Sequence, residues 1–561
     1  MDRLECYPYL FDIITNLAKD PNIELYLLQN NPNRSENPIK KVANKIRDFG
    51  IFRLISLAFF KFTISLERKI VMLSATFTKF NKQFLEKRLD AEIFTGTILL
   101  TPVFSKTMFS KRNKLVSYGD FDIKKIHALG LDLILQGNGI GIYQGKILSA
   151  SKKGIISVHH SDNRWNRGGP PGFWEIYLKK PTTGFVIQIL NDRLDDGDVI
   201  FRGEVPTDII YTLNLANILQ TAGPFLERII KGYVATGTLP QPLPKLPYSN
   251  TLFKAPKFTE TLTYITLIAL RFTTFFFLRR VFGRKQRWAV AFVRSDWKSS
   301  NLSKATVIKN PKGRFLADPF VATYDNQTVI FVEDYHYSNR RGTISAIRIT
   351  PNGSYEILPD IIKENFHLSF PYLFEYDSTL YMVPESHRAK AIRLYKCVQF
   401  PDRWEYLYDI IRDVDASDTM VFEHSARWWL LTNTAPDGSS GQSAQLCVFS
   451  AINPLSKDWQ PHSKNPVCFS PELARNGGLL RDADGTIFRV RQKYGFNQYG
   501  FNQYGRSYSI AKITRLDTEC YEESTYCEVE PKFFPGLVGT HHMHSAGGIT
   551  VFDFMKEETT R

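Results

Sequence analysis

The chain has 561 residues, of which 43% are hydrophobic, 14% aromatic and 23% charged. This composition excludes a disordered, collagen-like or coiled-coil protein, and the length predicts about two to four folded domains. The chain has 71 lysine and arginine residues and 56 aspartate and glutamate residues, which gives a net charge of +15. This charge favours an anionic substrate, a nucleotide, nucleic acid or an acidic membrane surface as partner. Six cysteines without a CxxC pair exclude a zinc ribbon and favour reduced thiols in a cytoplasmic protein.

Residues 1–235 alternate strand-like and helix-like segments. The apolar strand-like runs lie at 23–29, 91–104, 131–137 and 184–190. This alternation is typical of an α/β domain with a mostly parallel sheet covered by helices. Such a domain normally opens with a buried strand, yet a helix-like segment comes almost at once. We therefore expect that the first strand of the sheet is missing ahead of Met1. The N-terminal residues lack the apolar run of a secretory signal.

Residues 236–287 form a Pro-rich and then basic, apolar connector. Its apolar part of about 17 residues is interrupted by Arg271 and is shorter than the roughly 20 residues that span a bilayer. A similar apolar run lies at 52–69. Both predict helices that either lie in an anionic membrane surface, with Phe275–Phe277 in lipid, or pack the two domains together.

Residues 288–561 repeat one pattern five times, in which a polar residue and a small or proline position precede two apolar strands. The five copies begin near 317, 369, 417, 475 and 545. Repeats of about 50 residues made of short strands predict a five-bladed β-propeller. The first residues of each repeat then face one central cavity, and they include Asp318, Phe370, Asp418 and Asn476.

The segment 154–203 carries the densest motif of the chain. It contains His159, Arg167 followed by Gly-Gly-Pro-Pro, Trp174, Thr183-Gly184 and the run Leu-Asp-Asp-Gly-Asp at 194–198. In order and spacing these residues resemble the N-terminal catalytic domain of the formyltransferases, the family of methionyl-tRNA formyltransferase and the nucleotide-sugar N-formyltransferases. The resemblance implies a Rossmann-like α/β fold and 10-formyltetrahydrofolate as the formyl donor.

The resemblance also implies roles for individual residues. His159 polarises the formyl oxygen and helps to move a proton, while Asp195 holds the imidazole in one tautomer. Ser157 stands where the family has asparagine, so His160 or a backbone N–H assists as oxyanion donor, or activity is weakened. The remaining candidates are Gly137, Asn138, Gly139 and Ile142 for the cofactor, and Arg167 and Trp174 for the substrate.

The propeller also resembles known proteins. Carboxylates on alternate blades are similar to those of five-bladed glycosidases of the arabinanase type. The phrases FHLSFPYLFEYDSTLYMVPES and HSARWWLL resemble the N-terminal propeller of plant glucosamine inositolphosphorylceramide transferases. Asp318, Glu385 and Asp418 are candidates for acid–base work or for binding sugar hydroxyls, with Asn476 beside them. The histidines at 541, 542 and 544 are interpreted as cavity or loop residues, and no metal site is predicted.

Together these features predict an enzyme that N-formylates an amino sugar carried by a nucleotide or a lipid, with a carbohydrate-binding propeller. Two alternatives stay open: glycosidase or glycosyl-transfer activity in the propeller with a degenerate front domain, and a non-catalytic glycan-binding scaffold. We expect a cytoplasmic protein, in peripheral contact with the inner membrane face if its helices are interfacial. No nucleic acid partner is expected, because the tRNA enzyme carries a small β-barrel and not a propeller as its extra domain.

Overall fold

The computed structural model divides the chain into two compact units, Met1–Leu270 and Arg271–Arg561. The boundary falls inside the segment 236–287 that the sequence predicts as a connector. The structure describes residues 1, 4–30, 46, 50–73, 86–107, 110–137, 142–192, 197–245, 247–281, 283–350, 354–434 and 444–559. Three candidate site residues, Asn138, Gly139 and Asp195, lie outside these described residues.

Six α-helices occur in the described residues, most of them in the first unit. They are α1 (Pro8–Leu17), α2 (Ile51–Leu73), α3 (Asp120–His127), α4 (Phe173–Tyr177), α5 (Tyr211–Thr236) and α6 (Phe258–Val281). Short 3₁₀ helices lie at Ala91–Ile93, Gly145–Ser149, Leu302–Lys304 and His387–Ala389. Helix α1 shows why they form: proline occupies its first turn, and its buried residues recur every three or four positions.

The strands of the first unit form four small sheets in its described part. They are β1 (Glu5–Cys6), β2 (Tyr26–Asn30), β3 (Lys87–Arg88), β4 (Gly96–Leu100), β5 (Pro102–Thr107), β6 (Ser110–Tyr118), β7 (Ile134–Leu135), β8 (Ile142–Tyr143), β9 (Ile155–His159), β10 (Thr182–Ile189) and β11 (Asp198–Pro206). The sheets have the orders β1-β3, β2-β4, β5-β6-β8 and β11-β10-β9-β7.

The prediction of a mostly parallel sheet in the first unit is wrong for these strands. The pairs β2-β4, β6-β8 and β7-β9 are parallel, whereas β9-β10, β10-β11 and β5-β6 are antiparallel. For β5-β6 and β10-β11 the reason is the length of the connections, because each pair is joined by fewer residues than a parallel crossover needs. The sheets of the unit are therefore mixed.

Helix α2 and the start of α6 pack on the first unit. Phe60 of α2 and Tyr264 of α6 lie in one apolar cluster with Phe173 and Tyr211. Glu67 of α2 accepts hydrogen bonds from the Thr212 backbone N–H at 2.6 Å and from the Tyr264 hydroxyl at 2.5 Å. One face of each predicted interfacial segment is thus a packing face. Among the described residues, none of the helices has the length and apolar content that crossing a bilayer requires.

The second unit consists of five antiparallel sheets. In chain order its strands are β12 (Arg284–Val293), β13 (Thr306–Ile308), β14 (Arg314–Tyr324), β15 (Gln327–His336), β16 (Arg341–Ile349), β17 (Tyr355–Ile362), β18 (Ser369–Tyr376), β19 (Thr379–Glu385), β20 (Ala391–Gln399), β21 (Arg403–Arg412), β22 (Ala416–His424), β23 (Arg427–Thr434), β24 (Gln445–Ala451), β25 (Gln460–Pro461), β26 (Cys468–Phe469), β27 (Asn476–Arg481), β28 (Ile487–Phe496), β29 (Asn502–Leu516), β30 (Tyr521–Val529), β31 (Leu537–Gly539), β32 (Met543–Ala546) and β33 (Ile549–Thr559).

These sheets are the blades of a five-bladed propeller, as the repeats predict. Four blades are consecutive, β14–β17, β18–β21, β22–β26 and β27–β30. The fifth joins β12 and β13 from the start of the unit to β31, β32 and β33 from its end. The inner strands β14, β18, β22, β27 and β32 each contact the next, and β32 contacts β14, so the ring is closed.

A bulge at the start of four of the five inner strands fixes which positions are equivalent. The pairing register shifts between Ala317 and Phe320 in β14, and at the matching places in β18, β22 and β27. Asp318 and Asp418 are bulge residues, with φ of 49° each. A side chain in this left-handed region costs about 1–2 kcal/mol, so the ring stores strain at these positions.

Candidate functional site

Charged side chains from several blades meet around Arg475, which directly precedes β27. Its Nε donates to Asp418 Oδ2 at 2.6 Å, and its Nη2 lies 3.9 Å from Glu385 Oε2. Gln492 Nε2 also donates to Asp418 Oδ2, at 3.1 Å. The guanidinium lies 4.7 Å from the centre of the Tyr504 ring. All these groups are buried or nearly so. Because an unpaired buried charge is unfavourable, the folded state depends on these pairings.

A second group of charged side chains, centred on His541, also contacts the Tyr504 ring. The ring makes an edge contact with His541, with centroids 5.4 Å apart. His541 Nδ1 lies 2.6 Å from Asp553 Oδ2, and its Nε2 lies 3.4 Å from Asp318 Oδ1. Trp288 stacks on the imidazole at 4.0 Å. Tyr504 thus links the two groups into one cluster, which we call the propeller cluster: Asp318, Glu333, Glu385, Asp418, Arg475, Tyr504, His541 and Asp553.

Two glutamates of the propeller cluster occupy equivalent places on adjacent blades but ionise differently. Glu333 pairs with Ala317, and Glu385 pairs with Ser369, at the matching register of the next blade. Burial raises the pKa of Glu333 well above its ordinary value, and the nearby Asp318 carboxylate adds to this effect.

Glu385 is held ionised instead. Burial alone would raise its pKa, but a hydrogen bond with His387, at 2.8 Å, and the charge of Arg475 lower it to about 2. His367 lies between the two glutamates, with its Nε2 3.5 Å from Glu333 Oε1 and its ring 6.3 Å from that of His387. The pKa values of the two glutamates are thus shifted in opposite directions, which is the pattern from which acid and base roles are assigned.

The sequence predicts that Asn476 lies beside Asp318, Glu385 and Asp418. In the structure it does not belong to the propeller cluster. It is fully buried, and its Nδ2 donates to the backbone carbonyls of Asp418 and Leu431 at 2.8 and 3.2 Å. Its Oδ1 accepts from Arg489 Nη1 at 3.1 Å. The bulges explain the error, because Gly477 and not Asn476 is the equivalent of Asp418. Asn476 ties adjacent blades together.

Three members of the cluster could hold a metal ion. Ligand atoms of Asp318, His541 and Asp553 all lie within 4.8 Å of one another. Carboxylate oxygens and an imidazole nitrogen suit several divalent ions. The same atoms also satisfy each other as ion pairs.

The candidate catalytic residues of the first unit lie on β9. Ser157 and His159 are two positions apart and face the same side of the sheet. The Ser157 hydroxyl donates to Gln136 Oε1, and His159 Nε2 lies 3.2 Å from the Asn166 carbonyl oxygen. At that contact the imidazole donates, so Nδ1 is left as the nitrogen that accepts a proton in the neutral form.

The sequence analysis offers His160 as an oxyanion donor beside Ser157. The structure rules this role out. It follows His159 on the strand and faces the opposite side, where its ring contacts that of Tyr9 at 5.6 Å. Burial lowers the pKa of His160 to about 4, with a smaller effect from the charge of His159. It is a neutral packing residue at physiological pH.

Arg167 and Trp174 are held by the protein itself. Arg167 Nε donates to the Asn163 carbonyl at 2.9 Å, and its guanidinium lies 4.8 Å from the centre of the Tyr248 ring. Trp174 is buried, and its Nε1 donates to the carbonyls of Lys254 at 3.0 Å and Gly169 at 3.3 Å. The prediction that Trp174 binds substrate is therefore corrected, since its ring belongs to the core.

Of the candidate cofactor residues, Gly137 and Ile142 are described. A Cβ on Gly137 would lie 2.5 Å from Met1 Cγ, and Ile142 pairs with Leu115 in the β6-β8 ladder. Near Ser157 the structure also leaves a polar atom unused: Gln188 Oε1 is buried without a hydrogen-bond partner among the described residues. Gln188 pairs with Ser157, and a Cβ on Gly197 would lie 3.0 Å from its Oε1.

Comparison with known proteins supports the resemblance found in the propeller. Residues 298–533 match the family model described as glucosamine inositolphosphorylceramide transferase 1, N-terminal. The protein of that name from Arabidopsis thaliana is 32% identical over 212 residues, which make up 37% of this chain and 27% of the relative. The chain thus spans about a quarter of the length of this curated relative.

Formyltransferases match a smaller part of the chain. Methionyl-tRNA formyltransferase from Bacillus pumilus (strain SAFR-032) is 33% identical over 127 residues, 22% of this chain and 40% of that protein. Among solved structures, a thermostable family-43 glycoside hydrolase has a TM-score of 0.29 at 14% identity, covering 38% of this chain and 74% of its own.

The structure adds functional candidates that the sequence analysis did not name. They are Glu333, Arg475 and Asp553, and His541, which the sequence analysis interpreted as a cavity or loop residue, joins them. Arg475 directly precedes Asn476, and Glu333 occupies the place in IFVED that Glu385 occupies in MVPES. Comparing the second strand of each repeat, as well as the first, would have added Glu333 to Glu385.

Proposed function

We propose that the propeller binds a carbohydrate at the propeller cluster and that the first unit transfers a formyl group to an amino sugar. The observation that carries the first part is the group of charged side chains from several blades, in which Arg475 lies 2.6 Å from Asp418 and 3.9 Å from Glu385. A sugar offers hydroxyls that both donate and accept hydrogen bonds. Carboxyl groups and a guanidinium at fixed positions meet those needs.

The relatives support an amino sugar as the acceptor. The name of the family model that matches residues 298–533 contains glucosamine and a phosphorylated lipid. The relatives of the first unit transfer formyl groups. An amine is the nucleophile that formyl transfer needs, and an amino sugar provides one. The net charge of +15 suits an acceptor that carries phosphate, whether on a nucleotide or on a lipid.

The polar groups around β9 fit a formyl donor of the 10-formyltetrahydrofolate type. Gln136, Ser157 and the unused Gln188 Oε1 offer hydrogen bonds to a polar ring. Such a donor supplies the formyl group. In the transfer, a new C–N bond forms to the sugar nitrogen as the donor's C–N bond breaks. His159 takes the proton from the sugar nitrogen and returns it to the donor nitrogen.

The test of formyl transfer uses the purified full chain, 10-formyltetrahydrofolate and a uridine-diphosphate amino sugar. We expect tetrahydrofolate release and a sugar product heavier by one formyl group. His159→Ala should lower the rate at least about a hundredfold. His127→Ala, an exposed histidine on α3, is the matched control and should leave the rate unchanged. Equal rates for both variants would remove His159 from the site.

Binding at the propeller cluster is tested separately by calorimetry with glucosamine oligosaccharides. Arg475→Met should weaken binding at least about tenfold, because hydrogen bonds to charged groups contribute about 1.5–3 kcal/mol. Arg412→Met, on the exposed face of β21, is the control. Binding that survives in Arg475→Met would place the carbohydrate elsewhere, whatever the result for formyl transfer.

The opposite pKa shifts of Glu333 and Glu385 also favour a second candidate, cleavage or transfer of a glycosidic bond in the propeller. Such reactions need one carboxylic acid to protonate the leaving oxygen and one carboxylate to act as base or nucleophile. Release of nitrophenol from nitrophenyl glycosides measures this activity. Turnover that disappears in Glu385→Gln would establish it, and its absence in the unchanged protein leaves binding as the role of the cluster.

A further inference from the structure

One contact that orients the His159 ring comes from the loop between β9 and α4. The Asn166 carbonyl oxygen lies 3.2 Å from His159 Nε2 and accepts a hydrogen bond from it. The family resemblance assigns the holding of the imidazole to Asp195, which lies outside the described residues. The direction of the imidazole therefore depends in part on the peptide group that carries the Asn166 carbonyl.

Hydrogen bonds of Asn166 itself hold this peptide group in place. Asn166 is fully buried, and its Oδ1 accepts a hydrogen bond from the Gly168 N–H at 2.9 Å. Its own N–H donates to the Asp162 carbonyl at 2.8 Å. These bonds lie on both sides of the Asn166 carbonyl. A change in the Asn166 side chain therefore moves the group that orients His159.

With Oδ1 bonded to Gly168, the other end of the Asn166 amide needs an acceptor. Asn166 Nδ2 and both carboxyl oxygens of Glu175 on α4 are buried, and none of the three atoms has a hydrogen-bond partner of good geometry among the described residues. The two groups are neighbours, since burial raises the pKa of Glu175 to about 7 and the Asn166 side chain acts against this rise. A donor and an acceptor thus lie side by side.

Packing alone does not account for a glutamate at position 175. Glu175 is 2% exposed, and its neighbours in α4, Trp174 and Ile176, are buried apolar residues. A buried carboxyl group is unfavourable unless it is hydrogen-bonded. The N–H groups of Gly172 and of Glu175 itself, at the start of α4, also lie near enough to act on the carboxyl group. Glu175 therefore joins the first turn of α4 to Asn166.

We propose that Glu175 is a positioning residue for His159. Its carboxyl group accepts a hydrogen bond from Asn166 Nδ2, and the Asn166 carbonyl in turn keeps the proton of the neutral imidazole on Nε2. Nδ1 of His159 is then the base in a fixed orientation. The proposal rests on the proposed function, in which His159 takes the proton from the sugar nitrogen. The arrangement itself is a property of the folded first unit.

The test measures how fast diethyl pyrocarbonate modifies each histidine of the purified full chain, by mass spectrometry of its peptides. The reagent attacks an imidazole nitrogen that carries no proton, so a ring released from Asn166 offers either nitrogen. In Glu175→Leu, His159 should react at least about threefold faster, which is the effect of losing one hydrogen bond. Glu175→Gln keeps an oxygen that accepts from Asn166 Nδ2, so His159 should react at the unchanged rate.

A second variant and an internal reference separate positioning from general loosening. Asn166→Ala removes the same hydrogen bond from its other end, so it should accelerate His159 to the same extent even if Glu175→Leu does not fold. His160 lies on the opposite face of β9, and its rate should stay constant. An equal rise at both histidines in both variants would overturn the proposal.

Glu227 on α5 provides the matched control, because it also accepts a hydrogen bond from an asparagine, Asn16 Nδ2 at 3.1 Å. Glu227→Leu should leave the rate at His159 unchanged. If Glu175→Leu also leaves that rate unchanged, Glu175 does not position the ring.

The modification rates do not depend on formyl transfer, so they separate this proposal from the proposed function. Where transfer takes place, Glu175→Leu should lower kcat at least about tenfold and leave KM for the amino sugar unchanged, because a misplaced base slows the chemical step. If the unchanged protein transfers no formyl group but His159 still reacts faster in Glu175→Leu, the proposed function fails and the positioning of His159 by Glu175 stands.

Discussion

Arg475 and Asp418 form a buried ion pair that joins two adjacent blades, with Nε 2.6 Å from Oδ2. Asp418 is a bulge residue of β22, and Arg475 directly precedes β27. The guanidinium also faces Glu385 of a third blade at 3.9 Å. A single cation therefore balances carboxylates that belong to two other blades. The centre of the propeller depends on it, since those carboxylates are buried.

The first prediction concerns the removal of this cation. Arg475→Met should destabilise the protein by about 3–5 kcal/mol, because it removes the arginine charge that two buried carboxyl groups share. Chemical denaturation measures the change. Arg412→Met removes an arginine that is exposed and paired with Asp409, and should cost less than about 1 kcal/mol. A cost for Arg475→Met as small as that of the control would show that the carboxylates are not held by Arg475.

The second prediction is a pH dependence set by Glu385. His387 and Arg475 outweigh the effect of burial and lower its pKa from 4.5 to about 2. A group with a lowered pKa stabilises the fold above its unfolded value, and this stabilisation is lost as pH falls from about 4.5 towards 2. Glu385→Gln should therefore be less stable than the unchanged protein at pH 7 by about 1–3 kcal/mol. The difference should shrink at pH 3.

Denaturation curves at pH 7, 5 and 3 measure this difference. Glu405→Gln on the exposed face of β21 is the control, with an effect within about 0.5 kcal/mol at every pH. A difference between Glu385→Gln and the unchanged protein that stays constant down to pH 3 would contradict a pKa of about 2.

The blades could be predicted from the sequence because each repeat is local and carries its own strand pattern. The composition of the fifth blade could not. Its ladder pairs Arg284 with Thr559, and no local pattern records a contact across so many residues. The sequence also did not give the exact alignment of the repeats. The two bulge residues are Asp-Pro in one blade and Gly-Gly in another, so they share no residue that would mark the equivalent positions. Asn476 was therefore placed one position away from its true equivalents.

The candidate sites were predicted in part for a related reason. The family resemblance picked out Ser157 and His159 as candidates, and the structure places both on one face of β9. The same reasoning could not find the partner that each side chain meets. His541 comes near Asp318 only when the ring of blades closes. Trp174 Nε1 donates to the carbonyl of Lys254, which is distant in the chain. Such contacts follow from the tertiary fold alone.

The third prediction tests how closely the fourth and fifth blades approach each other. A Cβ on Gly477 would lie 2.4 Å from the His541 carbonyl oxygen, so Gly477→Ala must push β27 away from the backbone just before β32. We expect a loss of about 1–3 kcal/mol and weaker carbohydrate binding, because His541 belongs to the propeller cluster. Gly232→Ala in α5 meets nothing within 4 Å and should instead stabilise by about 0.5–1 kcal/mol. Thermal unfolding that changes equally for both variants would contradict the close approach.

The last prediction concerns the surface of α2. Its buried face packs on the first unit, but its other face exposes Phe52, Phe62 and Leu73, with Phe52 at 84% exposure. Lys61 and Lys69 lie on the same helix. An exposed apolar face with basic residues is typical of a helix that lies in an anionic lipid surface. The full chain should therefore sediment with phosphatidylglycerol vesicles at low salt.

Salt and substitutions separate the two contributions to this binding. Raising the salt should release the protein, because ions screen the contact of each lysine with the headgroups. Phe52→Ser with Phe62→Ser should lower sedimentation at least about tenfold, since it removes the side chains that enter the lipid. Ile452→Ser removes an equally exposed apolar residue from the propeller and should have no effect. If the unchanged protein fails to sediment at low salt, or if Ile452→Ser matches the double variant, the exposed face of α2 does not bind membranes.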